Sequence, residues 1–126
     1  MAVLKSRERT LPPYEDKHLS VSFDDRLVLL DGQPVLLRKK EYDLLSLLVR
    51  HAGQVVPRSV LLFQVWGYSS SVKTRTLDVH VRRLRKKLGS RAEIETVFGV
   101  GYRFQPFSAP RYAPSVASAN SAFAGA

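Results

Sequence analysis

The stretch Arg75-Thr76-Leu77-Asp78-Val79-His80-Val81-Arg82-Arg83-Leu84-Arg85-Lys86-Lys87-Leu88 decides how this chain is read. At 100° per residue, Leu77, Val81, Leu84 and Leu88 fall in one narrow stripe, the pattern of a helix docked by one face on a core. The opposite face carries Arg75, Arg82 and Lys86, with Arg83 somewhat to the side and Val79 in its middle. Between Lys73 and Arg91, eight Lys or Arg residues stand against a single acid, Asp78, so this segment holds +7 of the chain's net +9. The spacing predicts a helix over residues 74–88, closed by Gly89. Such a face suits a polyanion. Arginines can donate bidentately to guanine or to phosphate, and a valine among them can meet a thymine methyl. Taken alone, a basic helix face is more often solvated surface, and single exposed valines are common. The concentration of charge on one helix, more than its total, carries the argument.

Working outward from that helix, residues 68–73 read as a polar loop containing Ser69-Ser70-Ser71. Residues 59–65 form a short helix that ends near Trp66-Gly67, and Val55-Val56-Pro57 is a brief extended piece. Tyr42, Leu44, Leu45, Leu47, Leu48 and Val49 recur at helical spacing, with Gly53 as terminator. Further upstream the period drops to two. Leu19, Val21 and Phe23 alternate with Ser20 and Ser22, Asp24-Asp25 turns the chain, and residues 26–30 form a second strand. Asp31-Gly32 makes a tight turn into a third strand over residues 33–37. Downstream of the basic helix, residues 93–97 and 102–104 flank Phe98-Gly99-Val100-Gly101, whose glycines suit a hairpin turn.

Sheet, three helices and hairpin, in that order, predict an α+β fold: a winged helix-turn-helix with an N-terminal antiparallel sheet and a C-terminal β-hairpin wing. The third helix would enter the major groove of double-stranded DNA, and the wing would reach the adjacent minor groove or the backbone. The domain spans residues 18–106. Residues 1–17, polar and containing Pro12-Pro13, are expected to be a flexible arm or linker. Residues 107–126, rich in Ala, Ser and Pro, are expected to be a disordered tail.

Composition excludes several alternatives. With 126 residues, 44% of them hydrophobic, the chain can bury one modest core. It has no cysteine, which rules out disulfides, thiolate catalysis and zinc knuckles within it. No apolar run approaches the ~18 residues of a membrane span, and residues 1–7 lack the apolar stretch of a signal peptide. A soluble cytoplasmic protein without membrane contact is expected. His18, His51 and His80 are far apart and lack carboxylates at ligand spacing, and there is no nucleophile–base pair. Neither enzyme activity, metal nor cofactor is expected. Gly99-Val100-Gly101 is too short to cradle a phosphate. Trp66 and Tyr68 read as core or loop anchors, or as contacts to a partner.

Three segments together resemble a known family: Val65-Trp66-Gly67, the basic helix, and Thr96-Val97-Phe98-Gly99-Val100-Gly101-Tyr102-Arg103-Phe104. With Glu41-Tyr42-Asp43-Leu44-Leu45 they look like the OmpR/PhoB-type effector domain of bacterial response regulators, over about residues 19–104. The resemblance implies a four-stranded N-terminal sheet, with a fourth strand expected near Leu36. It implies a two-component system's regulator that binds promoter DNA as a head-to-tail dimer on direct repeats, a monomer otherwise. It implies that Arg75, Thr76, Val79, Arg82, Arg83 and Arg85 face DNA. His80 and Lys86 of the same helix, Trp66, and Thr96, Phe98 and Tyr102 of the wing complete the candidate interface. The loop Gly67, Tyr68, Ser69, Ser70, Ser71, Val72 and Lys73 would meet RNA polymerase.

The chain departs from the family pattern in places. Phe98 stands where the wing often carries a minor-groove Arg, so it would pack or wedge instead. Arg38 and Pro57 replace the Thr or Ser caps expected before the first two helices, each worth roughly 1 kcal/mol. The 17 residues before the domain are too few for a receiver domain, so no aspartyl-phosphate switch is expected within this chain; Asp24-Asp25 reads as a turn. Two rival functions remain: a winged-helix protein-interaction module and a nonspecific nucleoid-associated binder.

Overall fold

Period-two alternation folds the N-terminal end into a meander. In the computed structural model, which describes residues 12–69 and 74–107, four strands pair antiparallel in the order β1 (Tyr14–Glu15), β2 (Leu19–Ser22), β3 (Leu27–Leu30) and β4 (Gln33–Pro34). Leu19, Val21, Val28 and Leu30 point inward and are buried. Asp31 and Gly32 join β3 to β4, both at positive φ (51° and 81°), as the tightest hairpin turns require.

Three expectations are corrected by these elements. The fourth strand does not lie near Leu36 but at the opposite edge, in residues assigned to a loose arm. Tyr14 pairs with Val21, is wholly buried, and meets the Phe104 ring edge-on at 5.6 Å. The strand expected over 33–37 is shorter, Gln33–Pro34, with one further backbone bond from the Val35 N–H to the Val28 carbonyl (2.9 Å), and Leu36 is 88% exposed. The folded unit also reaches Phe107, whose N–H donates to Asp16 Oδ2 (3.3 Å) and whose ring packs edge-on to His18. Residues 1–11, 70–73 and 108–126, which include the rest of the expected arm, loop and tail, lie outside the described residues.

Three helices follow: α1 (Lys39–Arg50), α2 (Arg58–Trp66) and α3 (Thr76–Leu88). Helix α1 keeps half of a capping box without a hydroxyl cap, because the Glu41 carboxylate accepts the Arg38 N–H (2.9 Å). Helix α2 ends at Gly67 in the left-handed conformation. Helix α3 starts two residues later than its spacing suggested, since Thr74 Oγ1 accepts the Thr76 N–H (3.1 Å) from outside the helix. The predicted stripe is the docked face: Leu77, Val81, Leu84 and Leu88 are at most 1% exposed, in one core with Leu44, Leu45, Leu48, Leu61 and Phe104.

A second sheet closes the domain. Strands β6 (Glu93–Val97) and β7 (Gly101–Gln105) form the expected hairpin, and β5 (Val55–Pro57) adds to the free side of β7 in the order β5-β7-β6. The glycines of the hairpin have separate tasks. Gly99 takes φ 79° in the turn. Gly101 makes room instead: a Cβ there would overlap the Val56 carbonyl oxygen and lie 2.9 Å from Pro57 Cα. The fold is thus the winged helix-turn-helix, with the hairpin braced on both sides.

Candidate nucleic-acid interface

Burying one side of α3 dictates what the other side presents. Arg75, Val79, Arg82, Arg83 and Lys86 are exposed, Val79 at 40%. Among the described residues, none of these four cationic side chains makes an ion pair or a hydrogen bond to protein. The ridge therefore consists of guanidinium and ammonium groups with donors pointing to solvent.

The single acid of the segment is engaged chiefly away from that ridge, with Arg75 the one ridge cation whose charge also acts on it. Asp78 accepts 2.6 Å hydrogen bonds from both Arg58 Nη1 and the Tyr102 hydroxyl. Partial burial works against its charge, but Tyr102 and Arg58 outweigh it and hold the carboxyl below its ordinary range. Burial, then the Asp78 charge, push the Tyr102 phenol up to about 12, so it stays a donor. Arg58 also donates to the Thr74 carbonyl (3.2 Å), and its own N–H goes to the Val100 carbonyl (3.0 Å). One cluster thereby joins α2, the first turn of α3 and the wing.

A second brace runs from the far half of α3. Arg85 Nε and Nη2 both donate to the Ile94 carbonyl (3.0 and 2.6 Å), and Nη2 also donates to Thr96 Oγ1 (2.7 Å). Its guanidinium lies 5.6 Å from the Tyr102 ring centre. Three side chains of the candidate interface are therefore bonded within the protein. Arg85 and Thr96 bond each other between helix and wing, and Tyr102 is buried beneath them. A helical wheel gives Arg85 its direction at Cβ but not where a long side chain takes its head group, which here reaches the Ile94 carbonyl.

Lys87 also turns inward. Its Nζ lies 2.6 Å from an oxygen of Glu41, which is 1% exposed. Burial disfavours the Glu41 charge, yet Lys87 and the Arg38 N–H together hold its carboxyl below the usual range. The bond ties the last turn of α3 to the first turn of α1. Sequence reasoning missed Glu41, Arg58 and Asp78 as a supporting frame; the capping-box spacing of Glu41 was the one visible signal.

The remaining candidates sit at the ends of the ridge. Thr76 Oγ1 lies 2.8 Å from Thr74 Oγ1 at the start of α3. His80 Nδ1 lies 2.9 Å from the Thr76 carbonyl, and its ring meets Trp66 edge-on at 4.9 Å. Trp66 in turn stacks with Tyr68 (6.5 Å, 15°). These aromatics fix where the chain leaves α2; of the loop 67–73, Gly67, Tyr68 and Ser69 are described and 70–73 are not. Phe98 stands at the tip of the wing, 90% exposed. Among the described residues there is no His/Asp/Glu group able to hold a metal, and no helix long and apolar enough to cross a membrane.

Comparisons with known proteins match this geometry. The family model described as the C-terminal part of transcriptional regulatory proteins covers residues 32–104. The transcriptional regulatory protein YclJ of Bacillus subtilis is 48% identical over 93 residues, which is 71% of this chain and 41% of YclJ. The chain spans about two fifths of the length of the curated relatives it matches. The DNA-binding domain of CpxR from E. coli superposes with a TM-score of 0.70 at 32% identity, covering 76% of this chain and 98% of that one. The DNA-binding domain of RstA from Klebsiella pneumoniae, solved in complex with the RstA box, gives 0.70 at 34% identity over 76% and 99% of the two chains. With a docked leucine stripe, an outward cationic ridge and a braced wing in the family's order, the chain belongs to the OmpR/PhoB-type effector domains of transcriptional regulators, a non-enzymatic class.

Proposed function

We propose that this chain is a sequence-specific regulator of transcription that binds double-stranded promoter DNA, with α3 in the major groove and the wing at the adjacent minor groove or backbone. One observation carries the reading: the outward cations of α3 have no protein partner among the described residues, whereas the acid that would quench them, Asp78, is held by Arg58 and Tyr102. A major groove about 12 Å wide admits a helix. Arg75, Arg82 and Arg83 supply bidentate donors for guanine or phosphate, Lys86 a phosphate contact, and Val79 an apolar surface for a thymine methyl. Thr76 and His80 flank them. Arg85, Thr96 and Tyr102 act as positioning residues that keep wing and helix in register.

Membership of the family supports three further parts of the proposal. Two copies bind head to tail on direct repeats and separate off DNA. The loop at residues 67–73, anchored by Trp66, offers a surface to RNA polymerase. The site of action is the nucleoid, in the cytoplasm. The test is selection of bound duplexes from a random library, followed by competition. Specific binding predicts at least roughly 10³-fold preference for the selected duplex over random DNA. Equal affinity for all duplexes, with a steep salt slope, identifies a nonspecific binder, and no duplex binding identifies a protein-interaction module.

A further inference from the structure

We propose that Phe98 is a wedge that enters a base step of the bound duplex from the minor groove and kinks it; the inference rests on the DNA-binding reading above. Three observations carry it. Phe98 does not pack on the domain: 90% of it is exposed, and its neighbour in the turn, Val100, is 47% exposed. The tip holds no cation, since residues 94–102 contain no Lys or Arg, and Arg103 further down β7 is paired with Glu95 at 2.9 Å. The tip is also held firmly beside α3. The Arg58 N–H binds the Val100 carbonyl, Tyr102 binds Asp78, and Arg85 binds Ile94 and Thr96.

Those facts limit what the wing can offer DNA. An apex of Phe98-Gly99-Val100 cannot contribute an ionic contact. A minor groove about 6 Å wide excludes two strands standing about 4.8 Å apart with their side chains. It does admit one side chain from the apex, and Phe98 is larger and more exposed than Val100, the other side chain there. Apolar wedges inserted from that groove unstack a step and bend the duplex toward the major groove. At the step under the wing the minor groove faces the protein, so that bend would carry the duplex away from the wing tip. The step most easily opened is pyrimidine–purine, TA or CA/TG. The wing would thus add selectivity at a position where it makes no hydrogen bond to a base.

The test uses the full chain, a duplex obtained by the selection above and end-labelled for energy transfer, and the variants Phe98→Ala and Phe98→Leu. The wild type is expected to bend the duplex by tens of degrees. Phe98→Ala should straighten it, weaken binding by roughly 10-fold and remove the preference for a flexible step under the tip, with melting temperature unchanged. Phe98→Leu, still an apolar wedge, should keep most of the bend. A bound duplex equally bent, or equally straight, with wild type and Phe98→Ala overturns the wedge. Loss of self-association in Phe98→Ala with the bend unchanged does the same, and assigns the tip to a protein contact. If the wild type binds no duplex, the DNA-binding reading itself fails, and that result is distinct from any of these.

Discussion

Arg82 and Arg85 lie less than one turn apart on the same helix, and their surroundings are opposite. Arg85 is committed to the protein, with three hydrogen bonds to β6 and its guanidinium near the Tyr102 ring. Arg82 is exposed and, among the described residues, meets no protein partner. The same contrast separates Lys87, paired with buried Glu41, from its neighbour Lys86, which points outward. One basic segment therefore holds two populations of cations. The inward set fixes α3 against α1 and the wing, and the outward set is left for a ligand. Charge count alone cannot distinguish them. What does is whether a partner such as the Glu41 carboxylate or the Ile94 carbonyl lies within reach.

That division is open to attack from the inward side first. Glu41→Ala should have the largest effect on stability, about 2–4 kcal/mol by urea unfolding, because it deletes a buried carboxylate and leaves Lys87 and the Arg38 N–H without their partner. A loss under 0.5 kcal/mol would mean the inward pair is only decorative. Arg85→Ala should cost less, about 1–2 kcal/mol, since it removes hydrogen bonds to one carbonyl and one hydroxyl and leaves no buried charge behind. Its unfolding curve should shift while that of Arg82→Ala stays within about 0.5 kcal/mol of wild type. Equal shifts for the two would erase the comparison.

The smallest effect is the pH dependence. Glu41 and Asp78 have folded-state pKa values lowered from ordinary values of 4.5 and 3.8. Their contribution is therefore complete above those ordinary values and is lost as pH falls through the lowered ones. The urea midpoint should stay flat from pH 7 to about 5 and decline below about 4.5. Glu41→Gln should flatten that decline; an unchanged acid limb would show that other groups cause it.

How far the sequence could be read follows from the range of each interaction. The leucine stripe of α3, the Asp31-Gly32 turn and the hairpin around Gly99 are local patterns, and each lies where its spacing placed it. Strand β1 escaped because two residues after Pro12-Pro13 show no periodicity; only pairing with Val21 makes Tyr14 core. The addition of β5 to β7 joins segments far apart in sequence, from Val55 with Arg103 at one end to Pro57 with Gly101 at the other. Its one trace was Gly101, which looked like a turn residue and in fact clears Val56. In the candidate interface, the exposure of Arg75, Val79, Arg82, Arg83 and Lys86 followed from helical geometry. The inward turn of Arg85 and Lys87 did not, because it depends on Ile94 and Glu41, which the fold alone brings near.

The most direct measurement is duplex affinity against salt concentration, by fluorescence anisotropy, for wild type, Arg82→Ala and Arg83→Ala. A base-reading arginine should cost about 1–3 kcal/mol and relax specificity at one position, and a phosphate-binding one should weaken all duplexes and reduce the salt slope by about 1. Both variants should melt like wild type. If both bind every duplex with wild-type affinity and slope, the outward face of α3 is not where this chain meets DNA.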